Sequence, residues 1–482
     1  MPVITPPGFD LQPSGQQVAL ASNYITNFDF LNQYLPDTYE KEFERYGNRT
    51  VASFLRMVGA EMPSNSDMIK WAEQGRLHTK YTGCVATGFA AGVANATWLI
   101  PAAQVNPGAP ASTAPANGFT AVRVGQTVMI SDETAASTLS NKAIVTNVAA
   151  AAAAGTYAVT VAYYDQGGQT MGAAANCTMF IYGSEFQKGT NGMQGSIEAQ
   201  DFIFDNNPII IKDTYQVNGS DMAQIGWVEI ATENGGTGYL WYLKSEHETR
   251  LRFEDYLETA MVEAVPATVG GVGSGAATAG FNGSDGIFYV VNSRGNVWNG
   301  GNPVALAGFD SVIQRLDKQG AIEENVIFCN RQFSFDIDDM LAAQNSYGAG
   351  GTSYGLFDND EEMALNLGFT GFRRGYDFYK SDWKYLNDPT MRGGLTGGAI
   401  NGLMVPAGST TVYDQILGKN AKRPFLHVRY RASETEDRRY KTWITGSAGG
   451  ARTSDLDAMT VNFLSERAVC TLGANNFFLF RD

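Results

Sequence analysis

Between residues 82 and 183 the chain all but stops carrying charge: Arg123, Asp132, Glu133, Lys142 and Asp165 are the only ionised side chains among 102 residues. A stretch so poor in charge and so rich in Ala, Thr, Val and Gly does not fit a set of amphipathic helices, whose outer faces carry charge. Within it TAVRVGQTVMISD, KAIVTNV, GTYAVTVAYYD and CTMFIYG alternate at period two or run as short apolar strands between turn residues. Residues 82–183 are therefore read as a compact all-β module inserted into a longer chain. The six alanines from Ala149 to Ala154 lie between two strand patterns and are expected in a long hairpin connection.

The flanking segments have a different character. Residues 1–34 contain Pro6 and Pro7 and the aromatics Phe9, Tyr24, Phe28 and Phe30 without any period, which predicts an extended N-terminal arm. Such an arm hides its apolar side chains only by lying on another part of the protein or on a neighbouring subunit. Residues 35–81 predict helices from Pro36, from Thr50 to Val58, and from the Asn65/Ser66 cap through Ile69 and Trp71 to Gly75, followed by strand-like RLHTKYTGCVATG. Residues 184–225 carry Phe186 and Lys188 and two strand-like pieces, near Phe202 to Phe204 and Pro208 to Val217, read as a projecting hairpin.

In residues 226–482 the strongest signal is a helix of about 27 residues over 239–265, near 40 Å at 1.5 Å per residue. Phe253, Leu257, Met261 and Ala264 form its apolar stripe, and Lys244/Glu248, Glu246/Arg250, Glu248/Arg252 and Arg250/Glu254 are opposite charges four apart. A Gly-rich loop near residue 270 follows. Then come strand IFYVVN, helix FDSVIQRLDKQG, strand NVIFCN, helix FDIDDMLAAQ, strand GYDFYKSDW and the closing NNFFLFRD, giving a mixed α+β class.

The whole chain has 482 residues, 49 acidic against 34 basic, and a net charge of −15, enough length for two to four domains. No run reaches the ~18 apolar residues of a membrane span, and MPVITPPGFDLQP lacks the parts of a signal peptide, so an intracellular product without a membrane partner is expected. Cys84, Cys177, Cys329 and Cys470 form no CxxC pair and read as isolated buried thiols.

Catalytic patterns fail one by one. Gly418-Lys419 is followed by Asn420, where a phosphate-binding loop needs Ser or Thr, and the Gly-rich loop follows a helix, not a strand. His247-Glu248 opens like a zinc-protease helix, but Leu251 stands where the second histidine belongs. GTSYG places Ser353 in a GxSxG pattern with His427 downstream, but NSYGAGG precedes it where an elbow needs a strand. Asp358, Asp360, Glu361 and Glu362 lack the EF-hand glycine, replaced by Met363, and Asp336, Asp338 and Asp339 read as the charged start of a helix. No enzyme, cofactor or metal site is expected. Residues 419–443 hold Lys419, Lys422, Arg423, Arg429, Arg431, Arg438, Arg439 and Lys441 among aromatics; Glu434, Glu436 and Asp437 dilute them, so subunit contact is favoured over nucleic-acid binding.

The order of parts, arm, helix, hairpin interrupted by a β insertion, long helix, then an α+β region ending in an apolar strand, resembles a tailed-phage major capsid protein of the Johnson, or Hong Kong 97-like, fold. KSEHETRLRFEDYLETA is similar to the spine helix of that family's peripheral domain, GFRRGYDFYKSDWKYLNDPT to its strand region and RYKTWITGSAGG to its axial domain; residues from Asp455 to Phe480 resemble the closing axial segment. The resemblance, closest to crAss-like phages, covers the chain outside 82–183. It implies a late structural protein of the virion, assembled in the host cytoplasm into pentamers and hexamers of an icosahedral shell around double-stranded DNA. Its partners would be copies of itself, portal and auxiliary or decoration proteins, and packaged DNA in non-specific proximity. Subunit contacts would fall on Phe9, Tyr24, Phe28, Phe30, Phe186, Lys188, Phe202 and Phe204, and the cluster Arg429, Arg431, Arg438, Arg439 and Lys441 would face the interior or an interface. Two other readings are an exposed glycan-binding adhesin, with Trp98 and Tyr163 stacking on sugar, and a Ser353 hydrolase.

Overall fold

The computed structural model describes residues 60–75, 80–87, 93–101, 120–133, 140–150, 156–165, 176–193, 201–223, 230–231, 237–238, 241–267, 275–320, 322–344, 371–395, 397–407, 409–414, 419–450 and 452–482. The arm with Phe9, Tyr24, Phe28 and Phe30, the helices from Pro36 and Thr50, Ser353 and the acids from Asp358 to Glu362 lie outside these residues.

In chain order the strands are β1 Ala60–Ser64, β2 Ile69–Gln74, β3 Lys80–Thr87, β4 Asn95–Ile100, β5 Gln126–Asp132, β6 Ser140–Ala150, β7 Tyr157–Tyr163, β8 Cys177–Ser184, β9 Asp201–Asn206, β10 Ile209–Asn218, β11 Ile230–Ala231 and β12 Thr237–Gly238. They continue with β13 Asn296–Asn299, β14 Glu324–Cys329, β15 Gly371–Arg374, β16 Tyr376–Asp382, β17 Ile400–Pro406, β18 Ser409–Asp414, β19 Lys419–Pro424, β20 Leu426–Arg431, β21 Lys441–Gly446, β22 Ala458–Thr471 and β23 Phe478–Arg481. The longer helices are α1 Trp241–Glu263, α2 Ile287–Arg294, α3 Leu306–Gln319 and α4 Arg331–Gln344. None is both long and apolar enough to cross a membrane. The class is α+β, and the chain divides into two compact units, residues 72–203 and residues 1–71 with 204–482.

The unit of residues 72–203 contains a closed six-stranded barrel in the order β3-β4-β7-β6-β5-β8. Period-two alternation sends Ala96, Trp98 and Ile100 of β4, Val128 and Ile130 of β5, and Val159 and Val161 of β7 into one core. Closure removes the open edges that charge would otherwise have to protect, which explains how so uncharged a segment folds without aggregating. The alanine run departs from expectation at its start: Ala149 and Ala150 still belong to β6, paired with Ala158 and Tyr157 of β7. The thiols depart too, because Cys84 and Cys177 are register partners on β3 and β8, both fully buried and not joined in a disulfide.

The second unit is built on a six-stranded mixed sheet, β13-β23-β17-β14-β16-β15, whose central strands are buried on both faces. Phe478 and Phe480 of β23, Met404 of β17 and Ile327 of β14 pack against Phe309, Val312 and Leu316 of α3 and Phe333, Ile337 and Met340 of α4. Their neighbours Leu479, Leu403 and Phe328 join the opposite core, with Ile287, Phe288 and Val291 of α2 and Met261 and Val262 of α1. Two-sided burial is why every residue of β17 is buried and why its sequence reads as one apolar run. Gly320 closes α3 in the left-handed region, φ +100°, where a Cβ would be strained.

A five-stranded sheet completes the unit, β1-β20-β22-β10 with β21 also on β22. Leu426 and Val428 of β20 and Val469 of β22 share the core of α2. Phe253 of α1, fully buried, lies against Phe463 of β22 and Tyr440, ring centres 5.6 and 5.4 Å away. The long helix thus forms as expected, over 241–263 instead of 239–265. Of its four expected ion pairs Glu246–Arg250 closes at 3.4 Å, whereas Arg252 turns off the helix to Asp213 of β10, Nε 2.9 Å from the carboxylate.

Three other expectations are corrected. IFYVVN is helix α2, not a strand: a short apolar run does not separate the two by itself, and burial of Ile287, Phe288, Val290 and Val291 follows helical spacing. The helix expected from Asn65 to Gly75 is strand β2, in which Ile69, Trp71 and Glu73 alternate with exposed Lys70, Ala72 and Gln74. Finally, the two strands of 184–225 do not pair with each other: β9 pairs with β2, and β10 with β22 from Ile209↔Arg467 to Asn218↔Ala458.

Candidate assembly interface

The basic cluster expected over residues 429–441 is real in space, and it is already answered by acids. β1 runs parallel to β20, which brings Glu61 and Asp67 beside residues more than 360 positions later. Arg439 bonds Glu61, and Arg467 Nη1 lies 3.4 Å from the same carboxylate. Arg438 Nε is 2.7 Å from Glu466, Arg431 bonds Asp67 and approaches Glu466 at 3.8 Å, and Lys441 Nζ is 2.6 Å from Glu436. Five cations thus face four carboxylates. The Lys441 ammonium holds the Glu436 carboxyl below its ordinary value, and Asp67 raises the Arg431 guanidinium. Arg429, the remaining member, lies half-buried beside Cys470, whose thiol burial pushes up to about 12 against the pull of that cation.

Glu466 and Arg467, both buried, went unnoticed in the sequence. The signal was there: SER interrupts AMTVNFLSERAVCT, and two charges inside a buried strand require partners. The basic cluster expected at the interior or an interface is thus ion-paired within the chain, with Arg439 also 5.7 Å from the Tyr430 ring and Lys441 5.8 Å from Trp443. Such a network locks β1, β20, β21 and β22 together and leaves one excess positive charge, little for a polyanion to grip.

Beside it lies an open edge. Among the described residues β21 pairs with β22 alone, Lys441↔Leu464 to Gly446↔Met459, so its other side offers unpaired backbone groups. Thr442, Trp443 and Ile444 are exposed there, Ile444 at 44%, and Tyr440 stands next to them at 38%. An edge strand with an exposed tryptophan and isoleucine is a template for another chain.

The other expected contact residues divide. Phe202 is exposed at 45% and its neighbour Ile203 at 71%. Phe204 is engaged within the chain: its ring centre lies 4.0 Å from the Arg294 guanidinium and 6.3 Å from Trp71. Phe186 leans on Gly125, where a Cβ would meet the ring at 2.5 Å, and Lys188 is exposed in a turn with Gly189. Trp98 is not available for stacking on sugar: it is fully buried in the barrel, and its indole N–H donates to the hydroxyl of half-buried Tyr163 at 2.9 Å. His427 is buried on β20 with Nδ1 3.2 Å from the Pro424 carbonyl oxygen. Asp338 lies in the second turn of α4, paired with Lys380 at 2.5 Å, rather than at the helix start.

No protein-family model matches the chain, and no curated protein matches it. Among solved structures it is similar to one from Microbacterium phage Oxtober96 (10% identity, 95% of this chain and 99% of that one, TM-score 0.39). It is also similar to the capsid of a native GTA particle (10% identity, 93% and 96%, TM-score 0.36) and the mature capsid of bacteriophage PhiM1 (9% identity, 62% and 78%, TM-score 0.32).

Proposed function

We propose that the chain is a structural subunit, a major capsid protein whose copies associate through sheet edges and apolar arms into pentamers and hexamers of a closed icosahedral shell around phage DNA. The observation that carries the reading is the open, apolar edge of β21: a lone subunit gains nothing from exposing Trp443 and Ile444 on an unpaired strand, whereas a neighbour that covers them gains both hydrogen bonds and apolar burial. The order of parts in the sequence supports the same reading, as does the basic cluster, which is consumed within the chain instead of being presented to a ligand. The arm residues Phe9, Tyr24, Phe28 and Phe30 and the exposed Phe202 are proposed as further contacts, and portal and auxiliary proteins as later partners.

The test pairs two variants. Ile444→Lys puts a charge on the open edge, and a chain lacking residues 1–34 removes the arm. Both are expected to keep the far-ultraviolet circular dichroism of the parent while shifting it, in light-scattering chromatography, from assemblies to capsomers or single chains. Unchanged assembly in both variants removes the proposed contacts.

A further inference from the structure

The barrel carries a depression of about 540 Å³ that neither its core nor the proposed assembly surfaces explain. Its lining includes Thr127, Lys142, Tyr164, Tyr182, Gly183 and Glu185. We infer that it is a binding site for a saccharide, with an uncharged sugar ring lying on Tyr182 and its hydroxyls bonded by Glu185 and Lys142. This inference rests on the barrel alone and stands or falls separately from the shell reading.

Four observations support it. First, pairing between β5 and β8 slips between Thr127↔Gly183 and Val128↔Ile181, so Tyr182 is the residue left over. Alternation along β8, with Cys177, Met179 and Ile181 toward the core, turns Tyr182 outward, 46% exposed, and the slip leaves it without a register partner on β5. Second, Tyr164 is also exposed, at 49%, so two aromatic side chains border one depression in a unit whose other tryptophan and tyrosine of interest, Trp98 and Tyr163, bond each other. Third, the polar groups are positioned in advance. The Tyr164 hydroxyl donates to Glu185 Oε2 at 2.5 Å, which holds the carboxylate and leaves Oε1 without a partner among the described residues. Lys142 Nζ stands 6.0 Å from the Tyr182 ring centre and forms no ion pair among the described residues. Fourth, Gly183 brings no side chain to the lining, where a Cβ would meet Thr127 Oγ1 at 3.1 Å.

The chemistry selects the ligand class. One cation and one anion leave the depression neutral, which disfavours a phosphate or a sulfated polymer, because Glu185 repels it. An aromatic face beside one donor and one acceptor matches a pyranose, which presents C–H bonds on one face and hydroxyls at its edge.

The experiment uses the full chain and saturation-transfer NMR with the methyl glycosides of glucose, galactose, N-acetylglucosamine and N-acetylgalactosamine. At least one is expected to bind with a dissociation constant near or below about 1 mM. Tyr182→Ala is expected to weaken it by about tenfold, Tyr182→Phe to keep it, and Glu185→Gln to weaken it without disturbing the fold. Val85→Ala, elsewhere on the barrel surface, is expected to change nothing. Absence of transfer to all four glycosides overturns the inference, and so does binding that survives both Tyr182→Ala and Glu185→Gln. Were Tyr182→Ala to unfold the barrel, Glu185→Gln and Tyr182→Phe decide the matter between them.

Discussion

At the scale of single residues, the chain handles its polar groups by pairing them within the core or at its margin. Glu466 is the pivot of the cationic cluster: removing it leaves Arg438 with only the longer contact to Glu436, 3.8 Å, and Arg431 with Asp67 alone. Because these guanidiniums retain some water, Glu466→Ala is expected to cost on the order of 2 kcal/mol, less than a fully buried pair, read as a lower urea midpoint. The four thiols make a second case. Burial pushes Cys84 and Cys329 to about 12 and Cys177 to about 11, as it does Cys470, so all four stay protonated at neutral and mildly alkaline pH. A thiolate is the reactive form, so Ellman's reagent at pH 8 is expected to leave the native chain unlabelled and to find four thiols only in denaturant. Rapid labelling of native protein would contradict the burial that this account assigns to them.

Among the elements, α1 shows how a helix is fixed by what its stripe meets. Phe253→Ala removes a ring from between Tyr440 and Phe463 and is expected to cost about 3–5 kcal/mol, while Tyr256→Ala, exposed on the same helix, is expected to stay within about 0.5 kcal/mol; thermal unfolding of the two variants makes the comparison. This helix, α3, α4 and the barrel strands β5, β6 and β7 were legible because each repeats a period over enough residues to separate helix from strand. IFYVVN was not, because six apolar residues fit a buried strand and a buried helix equally well. IKWAEQ was read as helix because the Asn65/Ser66 cap and Gly75 are local signals, and pairing with β9, more than 120 residues away, outweighs them. Long-range pairing also hid the cationic network: Glu61 and Arg467 are neighbours only because β1 lies against β20 and β20 against β22. The tyrosine depression escaped for a similar reason, since Lys142 and Tyr182 come together only through the pairing of β5 with β6 on one side and β8 on the other.

For the whole molecule, exposed ion pairs tie stability to pH in a calculable direction. Arg374 holds Asp310, and Thr390 holds Asp388, below the ordinary carboxyl value of 3.8, and Lys441 holds Glu436 below 4.5. Groups with lowered folded values stabilise above their unfolded values and lose that contribution as pH falls through the folded ones, so the unfolding midpoint is expected to be flat at neutral pH and to fall below about pH 4.5. A midpoint that rises on acidification would contradict these pairings. The larger question is why a chain with 17% charged residues leaves Trp443, Ile444, Phe202 and Ile203 in view of solvent. The proposed assembly would answer it, because those side chains would then be core residues of an interface between copies. The most direct measurement is negative-stain electron microscopy of the purified full chain, matched to its sedimentation profile. Rings, tubes or closed shells are the expected result, and a monodisperse 52.0 kDa particle at every concentration, with no larger species, would contradict the account.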